Sequence, residues 1–360
     1  SEMCIRDSCR FSYFCNYGLN VRERQRAEIN PMQYGTIVHY ILERFFGEYT
    51  KEEYLSLEED KFQKIVCAYL AEYAVKYFGE EQLESNSFTY RLKTILDNVM
   101  YLMKHIMEEL SQSEFFVADC ELKIGEDIPS YTIVLPDGHK IAVCGSVDRV
   151  DIMQRADITY LRIIDYKTGT KQFKLSDILY GINLQMLLYL HSIEASGGDK
   201  YGEIVPAGIL YMPATVPYIS SDSLKSIDKL PDELNKKLKM NGLLLKDTEI
   251  IHGMDKTDAA TYIPVKIKAG EPVSSTSLAT LAEFGKIFKK VDMLIAEMGK
   301  NIYNGNIEAK PLKGGHDSCE YCPYDSVCAY RQSNPITCFS VDNKTVIEEI
   351  TNEINGKEEE

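Results

Sequence analysis

The sequence predicts an α/β fold, a central mixed sheet flanked by helices, and three observations predict it. Apolar residues recur at helical spacing from residue 31 to about 112. Short runs rich in β-branched and aromatic residues then crowd into residues 115–167, separated by turn chemistry such as Pro136-Asp137-Gly138-His139. A further helical stretch and a further apolar run follow, the order expected of strands joined by the helices that cover them.

Taken in order, residues 1–30 form an N-terminal segment. In it, residues 5–26 set Arg6, Arg10, Arg22, Arg24 and Arg26 against only Asp7 and Glu23, interleaved with Phe11, Tyr13, Phe14 and Tyr17. That mixture suits phosphate contact with base stacking, and equally a helix with a solvated arginine face. Residues 31–114 form a helical subregion. Pro31 suits a first helical turn, Ile37, Ile41 and Phe45 recur on one face, and segments 52–78 and 84–112 read as further helices. Residues 115–213 are the core, with FFVADCELKI, YTIVL, KIAVCGSVDRVDI and ITYLRIIDYK as strands. A helix over 176–195 with Ser176 as its N-cap and a buried strand, IVPAGILYMPA, complete it. Residues 214–274, charged and weakly periodic, read as an insertion with a strand returning at YIPVKIK. Residues 275–338 hold a long amphipathic helix and a cysteine-rich closing segment, and 339–360 read as a frayed acidic tail.

At 360 residues, 44% of them hydrophobic and 26% charged, the chain has ordinary globular composition and room for a sizeable core in one or two domains. No run reaches the roughly 18 apolar residues a spanning helix needs, and the N-terminus lacks a signal-peptide core. A soluble, cytoplasmic protein without membrane attachment is expected. The net charge of −15 excludes a surface that is basic all over but leaves room for a local basic groove.

The stretch Ile163-Ile164-Asp165-Tyr166-Lys167 sets an acid and a lysine two residues apart, hence on one face of a strand. Asp148 ends the apolar run IAVCGSV, and the intervening chain is long enough for a hairpin that brings it beside Asp165. Two carboxylates that close repel unless a divalent cation, Mg²⁺ or Mn²⁺, sits between them. With Lys167 to orient water or stabilise developing charge, these are the parts for phosphodiester hydrolysis. The bland alternative is an acid–lysine ladder on an amphipathic strand, and the apolar surroundings of both acids favour the site. Gln185 and Tyr189 share one helix face and either reach toward the acids or pack in the core. His39, amid the apolar residues of GTIVHYILE, reads by itself as a core histidine rather than a ligand.

Ten cysteines exceed what packing requires, and seven lie near the two ends. Metal or cluster ligation is a better account of them than disulfides in a cytosolic setting. Cys319, Cys322 and Cys328 are spaced C-x2-C-x5-C, and the fourth ligand is open among Cys4, Cys9, Cys15, Cys338 and His316. Zinc prefers paired knuckles, so the single C-x2-C favours an iron–sulfur cluster. A ligand drawn from the N-terminal end would make that cluster a structural staple. Cys67, Cys120 and Cys144 lie singly in apolar contexts and read as small buried hydrophobes.

Together these residues resemble the RecB-like branch of the PD-(D/E)xK nuclease superfamily, and within it the AddB family of helicase/deoxyribonuclease B subunits. CRFSYFCNYGLNVRER at 9–24 looks like that family's opening segment, with Arg10 where proline is usual. GTIVHYILE is similar to its histidine motif, GSVDRVD and IIDYKTG to its central motifs, LQMLLY to its Q-x-x-x-Y motif and CEYCPYDSVC to its closing cluster motif. The resemblance covers about residues 9–335. It implies a restriction-endonuclease-like core in which His39, Asp148 and Asp165 hold the metal. Asp148, Asp165, Lys167, Gln185 and Tyr189 would be catalytic, and Cys9, Cys319, Cys322 and Cys328 would hold a [4Fe–4S] cluster joining the two termini. It further implies a metal-dependent DNA exonuclease of an AddAB/RexAB-type complex. There it would process double-strand DNA ends and single-stranded tails for recombinational repair, beside an AddA-type helicase/nuclease subunit.

Residues 1–8 do not look like the family's lead-in, and neither a helicase-like region nor a G-x-x-x-x-G-K-[ST] loop is present. A C-terminal fragment that does not hydrolyse ATP is therefore expected. One alternative is a Cas4-like iron–sulfur exonuclease, which the long segment between Gln185 and Cys319 disfavours. Another is a cluster-stabilised DNA-binding or assembly module with a dead site, which the full set of acids with Lys167 disfavours.

Overall fold

The structure, a computed structural model, describes residues 9–21, 31–79, 85–169, 172–216, 230–274, 276–328, 330 and 335–358. Cys4 and the arginines at 6, 22, 24 and 26 lie outside the described residues. The chain begins with α1 (Arg10–Tyr13), which runs into a π-helical turn, Phe14–Gly18. A helical layer follows: α2 (Pro31–Glu48), α3 (Lys51–Leu55), α4 (Glu59–Phe78) and α5 (Asn86–Ser111). The single helix expected over 52–78 is two, because Thr50 and Glu53 form a reciprocal cap that starts α3 and the chain re-enters helix only at Glu59.

Next come β1 (Phe116–Ile124), the hairpin of β2 (Tyr131–Val134) and β3 (Lys140–Val143), then β4 (Gly145–Arg155) and β5 (Ile158–Lys167). A 3-10 turn, Leu175–Tyr180, leads into α6 (Gln185–Ser196). The expected helix over 176–195 is broken here, since Gly181 (φ 72) and Asn183 (φ 56) are left-handed. Ser176 lies inside the turn, buried, and caps nothing. After α7 (Gly198–Tyr201) come β6 (Glu203–Pro213), α8 (Leu230–Leu238), β7 (Asn241–Leu245) and α9 (Thr248–Met254). The hairpin of β8 (Lys266–Lys268) and β9 (Glu271–Val273) precedes β10 (Leu278–Ala279) and the long α10 (Leu281–Tyr303). Of YIPVKIK only the last three residues are strand, while the same 214–274 segment supplies β7, a strand its charged composition hides.

Strands β11 (Leu312–Gly314) and β12 (Ile336–Cys338) pair in parallel, and α11 (Asn343–Glu358) ends the described chain. The frayed tail expected after residue 339 is therefore corrected to a helix. Val346, Ile350 and Ile354, four apart, are buried, and Lys290 of α10 reaches Glu353 at 2.5 Å.

Among the described residues the main sheet has six strands in the order β1-β4-β5-β6-β7-β10. Strand β4 is antiparallel to β1 and β5, and β6 to β7, whereas β5–β6 and β7–β10 are parallel, so the sheet is mixed. The parallel β5–β6 step needs a crossover, which α6 supplies. Helix α2, backed by α4 and α5, covers β1 and β5, while α6, backed by α10, lies across β6, β5 and β1. One continuous apolar core runs from Ile37 through the sheet to Ile354. The single cysteines depart from expectation: Cys67 and Cys120 are half-buried and Cys144 is exposed.

Candidate metal centre and cysteine cluster

The sheet register explains why distant acids meet. Cys120 pairs with Arg149 and Arg149 with Ile164. One residue further along each strand, Glu121, Asp148 and Asp165 follow as a row across β1, β4 and β5. Helix α2 lays His39 over this row. Its Nδ1 is 2.8 Å from Glu121 Oε1 and its Nε2 is 3.5 Å from Asp148 Oδ2. Ser146 Oγ donates to Glu121 Oε2 at 2.8 Å, and the Tyr166 backbone N–H donates to Asp148 Oδ2 at 2.9 Å. One ligand atom each from His39, Glu121 and Asp148 lies within 4.8 Å of the others, close enough to share an ion.

Asp165 is buried, and the Lys167 ammonium sits against its Oδ2 as an ion pair. That oxygen nevertheless accepts no well-directed hydrogen bond. A buried carboxylate oxygen with spare capacity, beside a second acid, fits a hard divalent cation with oxygen and imidazole ligands such as Mg²⁺ or Mn²⁺.

The electrostatics agree. Burial, then the Asp165 charge, pushes Asp148 up to about 7. Burial alone would lower His39, but its hydrogen bond to Glu121 and the charges of Asp148, Glu121 and Asp165 outweigh it and raise the imidazole. Burial would raise Glu121, yet the hydrogen bonds from His39 and Ser146 hold it below the usual range. Three acids thus share one lysine and one histidine, and Asp148 is left wanting a further positive charge. The centre opens into a cleft of 680 Å³ whose walls include Tyr40, Tyr73, Tyr77, Lys167 and Gly169.

Glu121 is a site residue that sequence reasoning misses. It sits at φ 51, in the left-handed region a strand residue other than glycine seldom enters, and such outliers gather at functional sites. The only signal in the sequence is an acid interrupting the apolar run of β1.

Gln185 Nε2 donates to Tyr189 Oη at 3.5 Å. That hydroxyl lies against Gly145, where any Cβ would come within 2.2 Å of it. The pair therefore sits at the start of β4, three residues or about 10 Å along the strand from Asp148.

At the other site, Cys9 and Cys15 are buried on the N-terminal turns, and Cys319, Cys322 and Cys328 are half-buried in the closing segment. Burial raises the Cys15 thiol, and Cys322, Cys328 and Cys9 add to the effect; Cys319 is raised by burial and feels Cys322 and Cys9. Five thiols from the two ends of the chain thus occupy one neighbourhood. Tyr324 Oη, between Cys322 and Cys328, donates to the Val21 carbonyl at 2.9 Å and ties those ends together. An all-sulfur donor set suits an iron–sulfur cluster. Cys338 lies elsewhere, packed with Ile182 and Leu312, and His316 is exposed.

A mixed sheet that gathers acids, a histidine and a lysine at one cleft defines a class of metal-dependent phosphodiester-cleaving proteins. Residues 6–329 match the family model described as the PD-(D/E)XK nuclease superfamily, and the chain belongs to that superfamily. It is similar to proteins named as the B subunit of an ATP-dependent helicase/deoxyribonuclease. The one from Thermoanaerobacter sp. (strain X514) is 34% identical over 90% of this chain and 29% of its own length. Those from Alkaliphilus oremlandii and Clostridium kluyveri are 32% and 34% identical, over 96% and 98% of this chain and 31% and 32% of their own lengths. The chain thus spans about three tenths of the relatives it matches.

Proposed function

We propose that the chain is the metal-dependent DNA exonuclease part of a helicase–nuclease complex that trims double-strand ends for recombinational repair. The observation that carries this reading is the row Glu121, Asp148 and Asp165 under His39, with more negative charge than its own lysine and histidine offset. His39, Asp148 and Asp165 would hold Mg²⁺ or Mn²⁺, with Glu121 as a further ligand or as the group that orients His39. A cation bound there polarises the scissile phosphodiester and makes a water molecule easier to deprotonate. Lys167, steered by Asp165, orients the attacking water and stabilises charge that develops on the phosphoryl oxygens. Tyr40, Tyr73 and Tyr77 give the cleft aromatic walls against which unpaired bases can stack. Gln185 and Tyr189 shape the β4 end of the site or touch the DNA backbone.

Cys9, Cys319, Cys322 and Cys328 would hold a [4Fe–4S] cluster as a staple between the chain's ends, with Cys15 buried beside them. The names of the relatives support DNA ends and single-stranded tails as substrates, an AddA-type helicase/nuclease subunit as partner and a cytoplasmic location. Among the described residues no helix is long and apolar enough to cross a membrane.

The test is degradation of end-labelled linear DNA by anaerobically purified protein, with and without Mg²⁺. Wild-type protein should degrade it only with the metal, and Asp165→Ala should lose at least about a hundredfold in rate while still binding DNA. Equal rates with and without Mg²⁺, or in the variant, would remove the assignment.

A further inference from the structure

At the opposite edge of the sheet from β1, a second groove of 1230 Å³ is walled by β10, the β8–β9 hairpin and the starts of α10 and α11. Six lysines line it: Lys236, Lys239, Lys246, Lys266, Lys268 and Lys344. The acids on its wall are Glu283, engaged in capping α10 at Thr280, and Glu348, which is 3.7 Å from Lys344. Lys239 turns inward and donates to the carbonyls of Ala260 at 2.6 Å and Val265 at 3.1 Å. Lys236, Lys246, Lys266 and Lys268 are exposed, and among the described residues none of the four pairs with a carboxylate.

A chain of net charge −15 has carboxylates to spare, so four unpaired ammonium groups converging on one groove repel one another with nothing local to offset them. They suit a polyanion, whose binding would release its counterions. The two clefts lie close together along the chain. Lys167 and Gly169 line the catalytic cleft and Leu175, six residues on from Gly169, lines the lysine groove. From β5 to β10 there are three strand spacings, about 14 Å across the sheet.

We propose that this groove is a second, sequence-independent binding site for the phosphodiester backbone of a single strand that extends beyond the catalytic cleft. The inference rests on the nuclease reading but is tested apart from it, by binding rather than by hydrolysis. The experiment measures affinity for a long single-stranded oligonucleotide in EDTA over a range of salt concentrations. It compares wild type, the triple variant Lys236→Glu/Lys266→Glu/Lys268→Glu, and a triple variant of equal charge change on the helical layer, Lys61→Glu/Lys64→Glu/Lys93→Glu. All six positions are exposed, so each variant should keep the wild-type thermal midpoint.

The groove variant should bind at least about tenfold more weakly, and its log–log salt slope should fall by about 2, at roughly 0.7 for each phosphate that the groove no longer neutralises. The control variant should stay close to wild type. Equal losses in both triples would mean only that net charge matters, and an unchanged slope in the groove variant would mean no strand lies there. Either result overturns the proposal, as would polyglutamate displacing the strand as well as unlabelled DNA does. None of these outcomes bears on whether Asp165→Ala abolishes hydrolysis, so the two readings fail separately.

Discussion

Two charged clusters stand on the same pair of strands, and they are built on opposite principles. Arg149 and Asp151 of β4, Arg162 of β5 and Glu109 of α5 form a fully buried quartet of two cations and two anions. Arg149 forks onto Asp151 with both bonds at 2.8 Å, and Arg162 reaches Glu109 at 2.6 Å and Asp151 at 3.0 Å. Asp151 is held below the usual carboxylate range because the two arginines outweigh its burial. One residue before Arg149, Asp148 stands in the other cluster and is pushed up to about 7. Tyr166 joins the two, taking a hydrogen bond from Arg149 Nη1 at 3.2 Å on its hydroxyl and meeting the His39 ring edge-on at 5.8 Å. Charge balance separates their purposes. A neutral quartet clamps α5 to the sheet, whereas a cluster with surplus negative charge stores an affinity for a cation.

Breaking each cluster should give opposite results. The largest effect is expected from Asp151→Ala, which strands two buried guanidinium groups and should cost about 3–5 kcal/mol in a urea unfolding curve. A loss under about 1 kcal/mol would show that the quartet is not a clamp. Next, Glu121→Gln should remove the acceptor that orients His39 and raise the Mg²⁺ concentration for half-maximal cleavage by about 10–100-fold. An unchanged Mg²⁺ requirement would make Glu121 a bystander.

The smallest effect has the reverse sign. Asp148→Asn can keep the Tyr166 hydrogen bond while removing a buried repulsive charge, so the metal-free protein should gain on the order of 1 kcal/mol. The pH dependence follows from the same shift. The folded protein holds the Asp148 proton up to about 7 while an unfolded aspartate releases it near 3.9, so metal-free stability should fall as pH rises between those values. The raised His39 acts in the same direction. Thermal midpoints from about pH 4 to 8 should therefore slope downward in EDTA, and Mg²⁺ or Asp148→Asn should flatten the slope. A flat EDTA profile in the wild-type protein would contradict the uncompensated charge.

Much of this is legible along the chain. Alternating and β-branched runs mark β1, β5 and β6, and the spacing from Asp148 to Asp165 anticipates a hairpin, because both depend on local period and turn chemistry. Glu121 is not legible, since its partner His39 lies 82 positions away and nothing in its neighbours requires an acid. The helix α11 is hidden behind charged residues because only three apolar positions, Val346, Ile350 and Ile354, meet the core.

The sequence by itself determined the element types, the acid–lysine strand and the clustering of cysteines at the two ends, all of which follow from residue chemistry at short range. Only the tertiary structure decided which carboxylates stand in uncompensated excess and which are neutralised by arginine. Asp148 and Asp151 are three residues apart in one strand, yet their environments are set by β1, β5, α2 and α5. Electrostatic energy depends on distances through space and on burial, and neither quantity is written in the order of the chain.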